Sequence, residues 1–194
     1  MSDLEKQWIK KAKQGDTESF ERLIQGTQSK AYNIALRYLR NEDDAMDALQ
    51  ESFIKVFRSL GGFKEESSFD TWVYRIVVNT CHDQLRKNSK RQSEISLTNN
   101  DSNQDEITLD IPDMSYNPEM LLEKKEKLAF ILSCIAKLPS DQREAFELRD
   151  IENFTYEEIS DILQCSLGTV KSRISRARMA LRQLIIDTKE LNIR

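Results

Sequence analysis

Residues Thr155 to Leu181 read TYEEISDILQCSLGTVKSRISRARMAL, and this stretch decides the fold. Thr155 and Glu158 stand at the spacing of a capping box, which starts a helix by pairing two backbone N–H groups that otherwise lack partners. Ile159, Ile162 and Leu163 give that helix one buried face. Gln164 to Ser166 form a short turn, and Gly168 is read as small because two helices approach closely there. On the second helix Val170, Ile174, Ala177, Leu181 and Leu184 line one side. At about 100° per residue, Ser172, Ser175, Arg176 and Met179 point the opposite way, with Lys171 beside them. The outline is a helix-turn-helix. Such a second helix can lie in the major groove, where Arg and Lys donate to guanine and Ser bonds to bases or phosphates. A solvated cationic helix face is the competing reading. The capping box, the turn and the preceding amphipathic helix weigh against it.

The charge around this motif is local. Lys171 to Arg182 carries four arginines, one lysine and no acid, whereas the 194-residue chain has a net charge of -4. An acidic chain, with pI near 5.3, does not bind every polyanion, so its cations must act where they are gathered. Hydrophobic residues at 39%, charged residues at 32% and only 5 glycines and 3 prolines describe a soluble, helix-favouring chain. No apolar run is long enough to cross a bilayer, and MSDLEKQWIKKAK has no signal-peptide core, so a cytoplasmic protein without membrane insertion is expected. Cys81, Cys134 and Cys165 lie far apart and read as packed thiols. With His82 the single histidine, no metal, cofactor or histidine-based triad is expected, and no glycine-rich phosphate loop is present. An enzyme is therefore not expected.

Helical periodicity extends over the rest of the chain. Phe20, Leu23, Ile24, Ala31, Ile34, Ala35, Tyr38 and Leu39 recur at three-four spacing. Asn41 to Asp44 cap a helix that buries Ala45, Leu49, Phe53, Val56, Phe57 and Leu60 and stops at Gly61-Gly62. The loop FKEESS leads into another helix from Phe69 to about Lys87. Gln92 to Glu119 then has no Lys or Arg, seven acids and two prolines, with no period. It reads as an extended acidic linker. Beyond it MLLEKKEKLAFILSCIAKL is helical, Pro139 breaks the pattern, and SDQREAFELRD starts a further helix. The expected fold is all-α: a small helical domain at 1–90, a linker at 91–118 and a second helical domain at 119–194.

The first domain offers a second surface. On the Phe69 helix, Val73, Ile76, Val77 and Thr80 face inward, while Trp72, Arg75, Asn79, His82 and Arg86 share the other side. The preceding loop adds Phe63, Lys64, Ser67, Ser68 and Phe69. Rings, small hydroxyls and a cation can hold an unstacked base. Phe63, Phe69 and Trp72 could equally be core. On the preceding helix, Asp47, Gln50, Glu51, Ile54 and Arg58 lie opposite the buried stripe. Ile54 is either an incidental surface residue or an anchor for a partner's helix.

Four blocks of this text, DALQESFIKVFRSL, FKEESSFDTWVYRIVVNTCHDQLRK, LPSDQREAFELRDIENFTYEEISDIL and SLGTVKSRISRARMAL, resemble in this order the extracytoplasmic-function (ECF) sigma factors of bacterial RNA polymerase. The resemblance covers nearly the whole chain outside the linker. It implies that the domain at 1–90, the family's domain 2, meets the beta-prime clamp helices of core RNA polymerase through Asp47, Gln50, Glu51 and Ile54, with the beta flap as a further polymerase contact. It implies that domain 2 captures a flipped base of the −10 element at Phe63, Lys64, Ser67, Ser68 and Phe69, with Trp72, Arg75 and Asn79 nearby. The domain at 119–194, the family's domain 4, would read the −35 element of promoter DNA through Lys171, Ser172 and Arg176, with Arg149, Thr155 and Tyr156 toward phosphates. Ser175 lies on the same face, where many relatives carry a larger side chain. An anti-sigma factor is an implied partner. The alternative is a free-standing helix-turn-helix regulator whose first domain senses a ligand or dimerises.

Overall fold

The computed structural model describes the backbone of residues 2–95 and 118–191, with side chains within 2–89 and 127–187. Most of the expected acidic linker, residues 96–117, lies outside the described residues. The chain forms two compact units, Met1–Thr108 and Leu109–Arg194.

The first unit contains α1 (Asp3–Ala12), α2 (Thr17–Gln25), α3 (Gln28–Leu39), α4 (Glu42–Ser59), a 3-10 turn (Leu60–Gly62) and α5 (Phe69–Ile95). Side-chain caps set the helix starts. Ser2 and Glu5 close a capping box on α1, and the Asp16 carboxylate accepts from Ser19 N–H at 3.1 Å to start α2. Asn41 caps α4 as its sequence predicts, with its Oδ1 accepting from Asp44 N–H at 2.9 Å. Ala31, Ala35, Ala45 and Ala48 are all fully buried where α3 packs on α4, so the backbones meet with little side chain between them. Ser52 and Thr27, also buried, donate to the carbonyls of Ala48 and Ile24.

α5 differs from its sequence reading in two ways. It runs to Ile95, past the expected boundary at residue 90. Its buried arc is also wider than predicted. Tyr74, Val78 and Cys81 are buried along with Val73, Val77 and Thr80, while Ile76 is half-exposed. The reason is that α5 packs against both α3 and α4, so two of its sides leave water. Burial pushes the Cys81 thiol up to about 12. Phe57 is the opposite case. It was expected in the core but remains partly exposed, resting edge-on against Phe20 with ring centroids 5.0 Å apart.

The second unit contains α6 (Pro118–Ala136), α7 (Ser140–Phe146), a π-helical turn (Glu147–Ile151), α8 (Tyr156–Leu163) and α9 (Leu167–Leu191). The π turn closes with Glu152 N–H donating to Glu147 O at 3.0 Å, an irregularity that apolar periodicity did not disclose. Ile135, Leu138, Phe146 and Ala177 form a core cluster with Ile151, Ala180, Leu181 and Leu184 packed on it. Cys134 is buried, whereas Cys165 is only half-buried and is not the packed thiol its sequence implied.

Phe69 is the largest fully buried side chain of the first unit. Phe69→Ala is expected to destabilise that unit by about 3–5 kcal/mol. Both tryptophans, Trp8 and Trp72, lie in this unit, so urea unfolding followed by tryptophan fluorescence reports on it alone. A loss below about 1 kcal/mol would show that the ring is not part of the core.

Candidate nucleic-acid interface

The helix-turn-helix is held by short-range polar contacts that follow from its sequence. The Thr155 hydroxyl accepts from Glu158 N–H at 3.2 Å, and the Glu158 carboxylate accepts from Thr155 N–H at 2.8 Å. Gln164 ends α8 in the left-handed region at φ 51°, and the Ser160 hydroxyl donates to Cys165 O at 2.6 Å to fix the turn. The Ser166 hydroxyl then accepts from Thr169 N–H at 3.2 Å and starts α9. Gly168 does not serve close helix packing, contrary to expectation. A Cβ there would meet nothing nearer than Ser166 Oγ at 3.8 Å, because the position faces outward on the first turn of α9.

Val170, Ile174 and Ala177 are buried and fix how α9 is rotated. Lys171, Ser175, Arg176 and Met179 are exposed on the other side. Ser172 is half-buried and donates to Thr169 O at 2.9 Å, leaving its oxygen lone pairs as its main outward capacity. The arginines divide into two groups. Arg173 pairs with Asp141 at 3.3 Å, and Arg178 grips Asp150 through two hydrogen bonds of 2.6 and 3.1 Å. The Asp150 hydrogen bond raises the Arg178 pKa. Lys171, Arg176 and Arg182 have no acid partner among the described residues, so they carry the outward charge.

Three residues expected at phosphates have internal partners. Arg149 donates to Phe154 O at 2.7 Å, and its guanidinium lies 4.9 Å from the centre of the Tyr156 ring. Arg149 and Tyr156 are thus half-buried and brace each other. The Thr155 hydroxyl serves the capping box and also donates to Glu158 Oε2 at 2.9 Å.

In the first unit the structure corrects the pocket reading of the aromatic residues. Phe63, Phe69 and Trp72 are buried in one cluster, with ring centroids 4.9 Å apart for Phe63 and Trp72 and 5.9 Å for Phe63 and Phe69. Helical spacing placed Trp72 on the outer side of α5. The loop after the 3-10 turn folds over that side and covers it, which a single-helix reading cannot anticipate. Ser68 also has an internal role. Its hydroxyl accepts from Thr71 N–H at 3.1 Å and caps α5, while Ser67 donates to Ser68 O at 3.4 Å. Lys64 and Ser68 remain exposed at the loop surface, and Ser67 is half-buried.

Asn79 is exposed and Arg75 half-buried on α5. Asn79 lines an open groove of about 410 Å³ between α4 and α5, together with Lys55, Arg58, Ser59, Ile76, Thr80 and Asp83. None of the Phe63–Phe69 loop residues lines it. Lys55 was missed by sequence reasoning although it lies one turn from Arg58 and Glu51. It donates to Thr80 Oγ1 at 3.1 Å and pairs with Glu51 at 2.8 Å, which lowers the Glu51 pKa.

The α4 surface beside this groove is mixed. Asp47, Gln50 and Glu51 are exposed as expected, and Ile54 is 51% exposed. Met46 and Phe57 extend its apolar character, which the assignment of Phe57 to the core had hidden.

A helix-turn-helix with an outward cationic face, and in a separate unit an open groove lined by Lys55, Arg58, Asn79 and Asp83 beside a partly apolar helix, fit the class of nucleic-acid-binding proteins. Comparison with known proteins narrows this class. The family model for Sigma-70 region 2 matches residues 23–91, and that for Sigma-70, region 4 matches residues 128–181. The RNA polymerase sigma-H factor of Pseudomonas aeruginosa is 35% identical over 177 residues, spanning 91% of this chain and 91% of its own length. The ECF RNA polymerase sigma-E factor of Haemophilus influenzae is 36% identical over 171 residues, spanning 88% and 89%. The sigma factor RpoE of Bartonella quintana, solved in complex with the anti-sigma factor NepR, shares the fold with a TM-score of 0.69 at 24% identity, over 87% of this chain and 97% of that one. The chain belongs to the sigma-70 family of RNA polymerase sigma factors, in its ECF group. It is a promoter-recognising subunit that acts in transcription initiation with core RNA polymerase.

The open space at Gly168 has a measurable consequence. Gly168→Ala is expected to leave α9 as stable as before or more stable by up to about 1 kcal/mol, because Ala favours the helix. Amide hydrogen exchange along α9 checks this. Faster exchange in the variant would reveal a steric role for the glycine.

Proposed function

We propose that the two units divide promoter recognition and polymerase binding among named residues. Residues 119–194 read duplex DNA at the −35 element through Lys171, Ser172, Ser175 and Arg176, with Arg149, Thr155 and Tyr156 supporting the approach to phosphates. Residues 1–90 serve as domain 2, and 91–118 connect the two. The α4–α5 groove takes unpaired −10 nucleotides at Asn79, with Lys55 and Arg58 near phosphates and Arg75 beside it. The loop groups Lys64, Ser67 and Ser68 assist base capture, while Phe63, Phe69 and Trp72 act from the core by fixing the loop. Asp47, Gln50, Glu51 and Ile54 meet the beta-prime clamp helices, with Met46 and Phe57 extending the contact. The second unit also meets the beta flap.

One observation carries this reading. The same chain has a duplex-reading helix and, in another unit, a separate groove with cations and an amide suited to unpaired bases. A free-standing regulator needs only the first. The protein has no catalytic task of its own. It acts in the cytoplasm, where the polymerase works. No described helix is long and apolar enough to cross a membrane. An anti-sigma factor of the kind bound to the Bartonella protein is a fitting partner, since the exposed apolar side chains of α4 and α9 need cover when polymerase is absent. Local charge fits the same scheme. Lys171 and Arg176 give sequence choice, and the polymerase supplies most of the affinity.

Two substitutions test the assignments. Ile54→Asp puts a charge into an apolar contact and is expected to weaken core polymerase binding by about 2 kcal/mol or more while circular dichroism stays unchanged. Normal binding by the folded variant would make Ile54 an incidental surface residue. Arg176→Ala is expected to cost about 1–3 kcal/mol on promoters with a strong −35 match and little elsewhere. An equal loss on all sequences, measured by run-off transcription, would assign Arg176 to phosphate.

A further inference from the structure

Lys13 connects two parts of the first unit that are far apart in sequence. It sits at the C-terminal cap of α1, before the residues that match the Sigma-70 region 2 model. Its ammonium donates to Phe63 O at 2.8 Å, pairs with Glu65 Oε1 at 3.4 Å and stands 5.6 Å from the Phe63 ring centre. One cation thus holds the backbone, an acid and the ring of the same loop. The loop needs such a tie. Glu65 is in the left-handed region at φ 60°, a strained conformation for a residue with a Cβ. Among the described residues, Lys13 hydrogen-bonds to the Phe63 carbonyl and the Glu65 carboxylate of this loop. Lys64, between them, is left exposed.

We propose that Lys13 is a positioning residue for promoter opening, fixing the Phe63–Ser68 loop so that Lys64 and Ser67 meet an unstacked base in one geometry. This rests on the reading of that loop as part of the base-capture site. Phe63, anchored in the aromatic cluster, fixes one end of the loop, and the Ser68 cap fixes the other. Lys13 ties the Phe63 backbone to the Glu65 carboxylate and so extends the first anchor into the span between. Its side chain is about one-quarter exposed, so the tie is shielded in part from water and salt.

The test compares Lys13→Met, which keeps the apolar stem and removes the cation, with Lys13→Arg, which keeps the donor and charge. The full chain with core polymerase is assayed on a duplex promoter and on the same promoter with a premelted bubble lacking the −10 sequence. Permanganate reactivity measures opening of the duplex, and abortive transcription measures activity on both templates. Lys13→Met is expected to lower the duplex-to-bubble activity ratio about tenfold, as loss of one charge-assisted hydrogen bond implies. Lys13→Arg should recover the ratio to within about twofold. A loss of folded protein lowers both activities equally and leaves the ratio unchanged, so an unchanged ratio overturns the proposal. Failure of Lys13→Arg to recover it also overturns it. A Lys64→Ala/Ser67→Ala double variant separates the proposal from the reading beneath it. If the double variant lowers the ratio and Lys13→Met does not, only the positioning role falls. If neither lowers it, the capture reading falls as well. A fall for Lys13→Met alone shows that Lys13 acts by another route and counts against the proposal.

Discussion

The rotation of α9 about its own axis is the constraint on which DNA reading depends. Val170, Ile174 and Ala177 are essentially free of solvent, and turning the helix by one residue would expose them and bury Lys171. Two arginines reinforce the setting from the flanks. Arg173 and Arg178 reach Asp141 and Asp150 on the preceding elements. Such partly exposed pairs are worth about 0–1 kcal/mol each, so burial sets the rotation and the pairs refine it. A run of cations that reads as one uniform basic patch therefore has two jobs. Arg173 and Arg178 hold the helix, and Lys171, Arg176 and Arg182 face outward.

The first unit uses a similar economy with aromatic residues. Covering Trp72 with Phe63 buries both rings and fixes the loop before α5, which leaves small polar and charged groups on the loop surface. In the base-capture role proposed for it, a loop fixed in this way would lose little conformational entropy on binding. α4 shows the opposite choice. Its Met46, Ile54 and Phe57 remain in water beside Asp47 and Gln50, a combination that a polymerase helix can cover.

Local signals were legible in the sequence, and tertiary ones were not. The Thr155–Glu158 box, the Asn41 cap, the buried stripe of α9 and the exposed Ile54 all appear as read, because each is decided within one or two helical turns. Trp72 was ambiguous because a helical wheel shows direction but not what loop comes back over it. The bracing of Arg149 on the Phe154 carbonyl was not legible because the π turn places that partner, and no side-chain period announces the turn. Gly168 looked like a packing residue because a glycine in a helix invites that explanation, whereas its outward face is open. Lys55 and Lys13 were passed over because lysines on amphipathic helices are ordinary, and only the fold shows what each one reaches.

The central claim is that this chain gives core polymerase a choice of start site. Transcription by purified core RNA polymerase on fragmented genomic DNA, with and without the chain, followed by sequencing of RNA 5′ ends, tests it most directly. The account predicts starts that appear only with the chain and lie downstream of one shared pair of sequence elements at fixed spacing. Starts distributed as they are with core polymerase alone would contradict it.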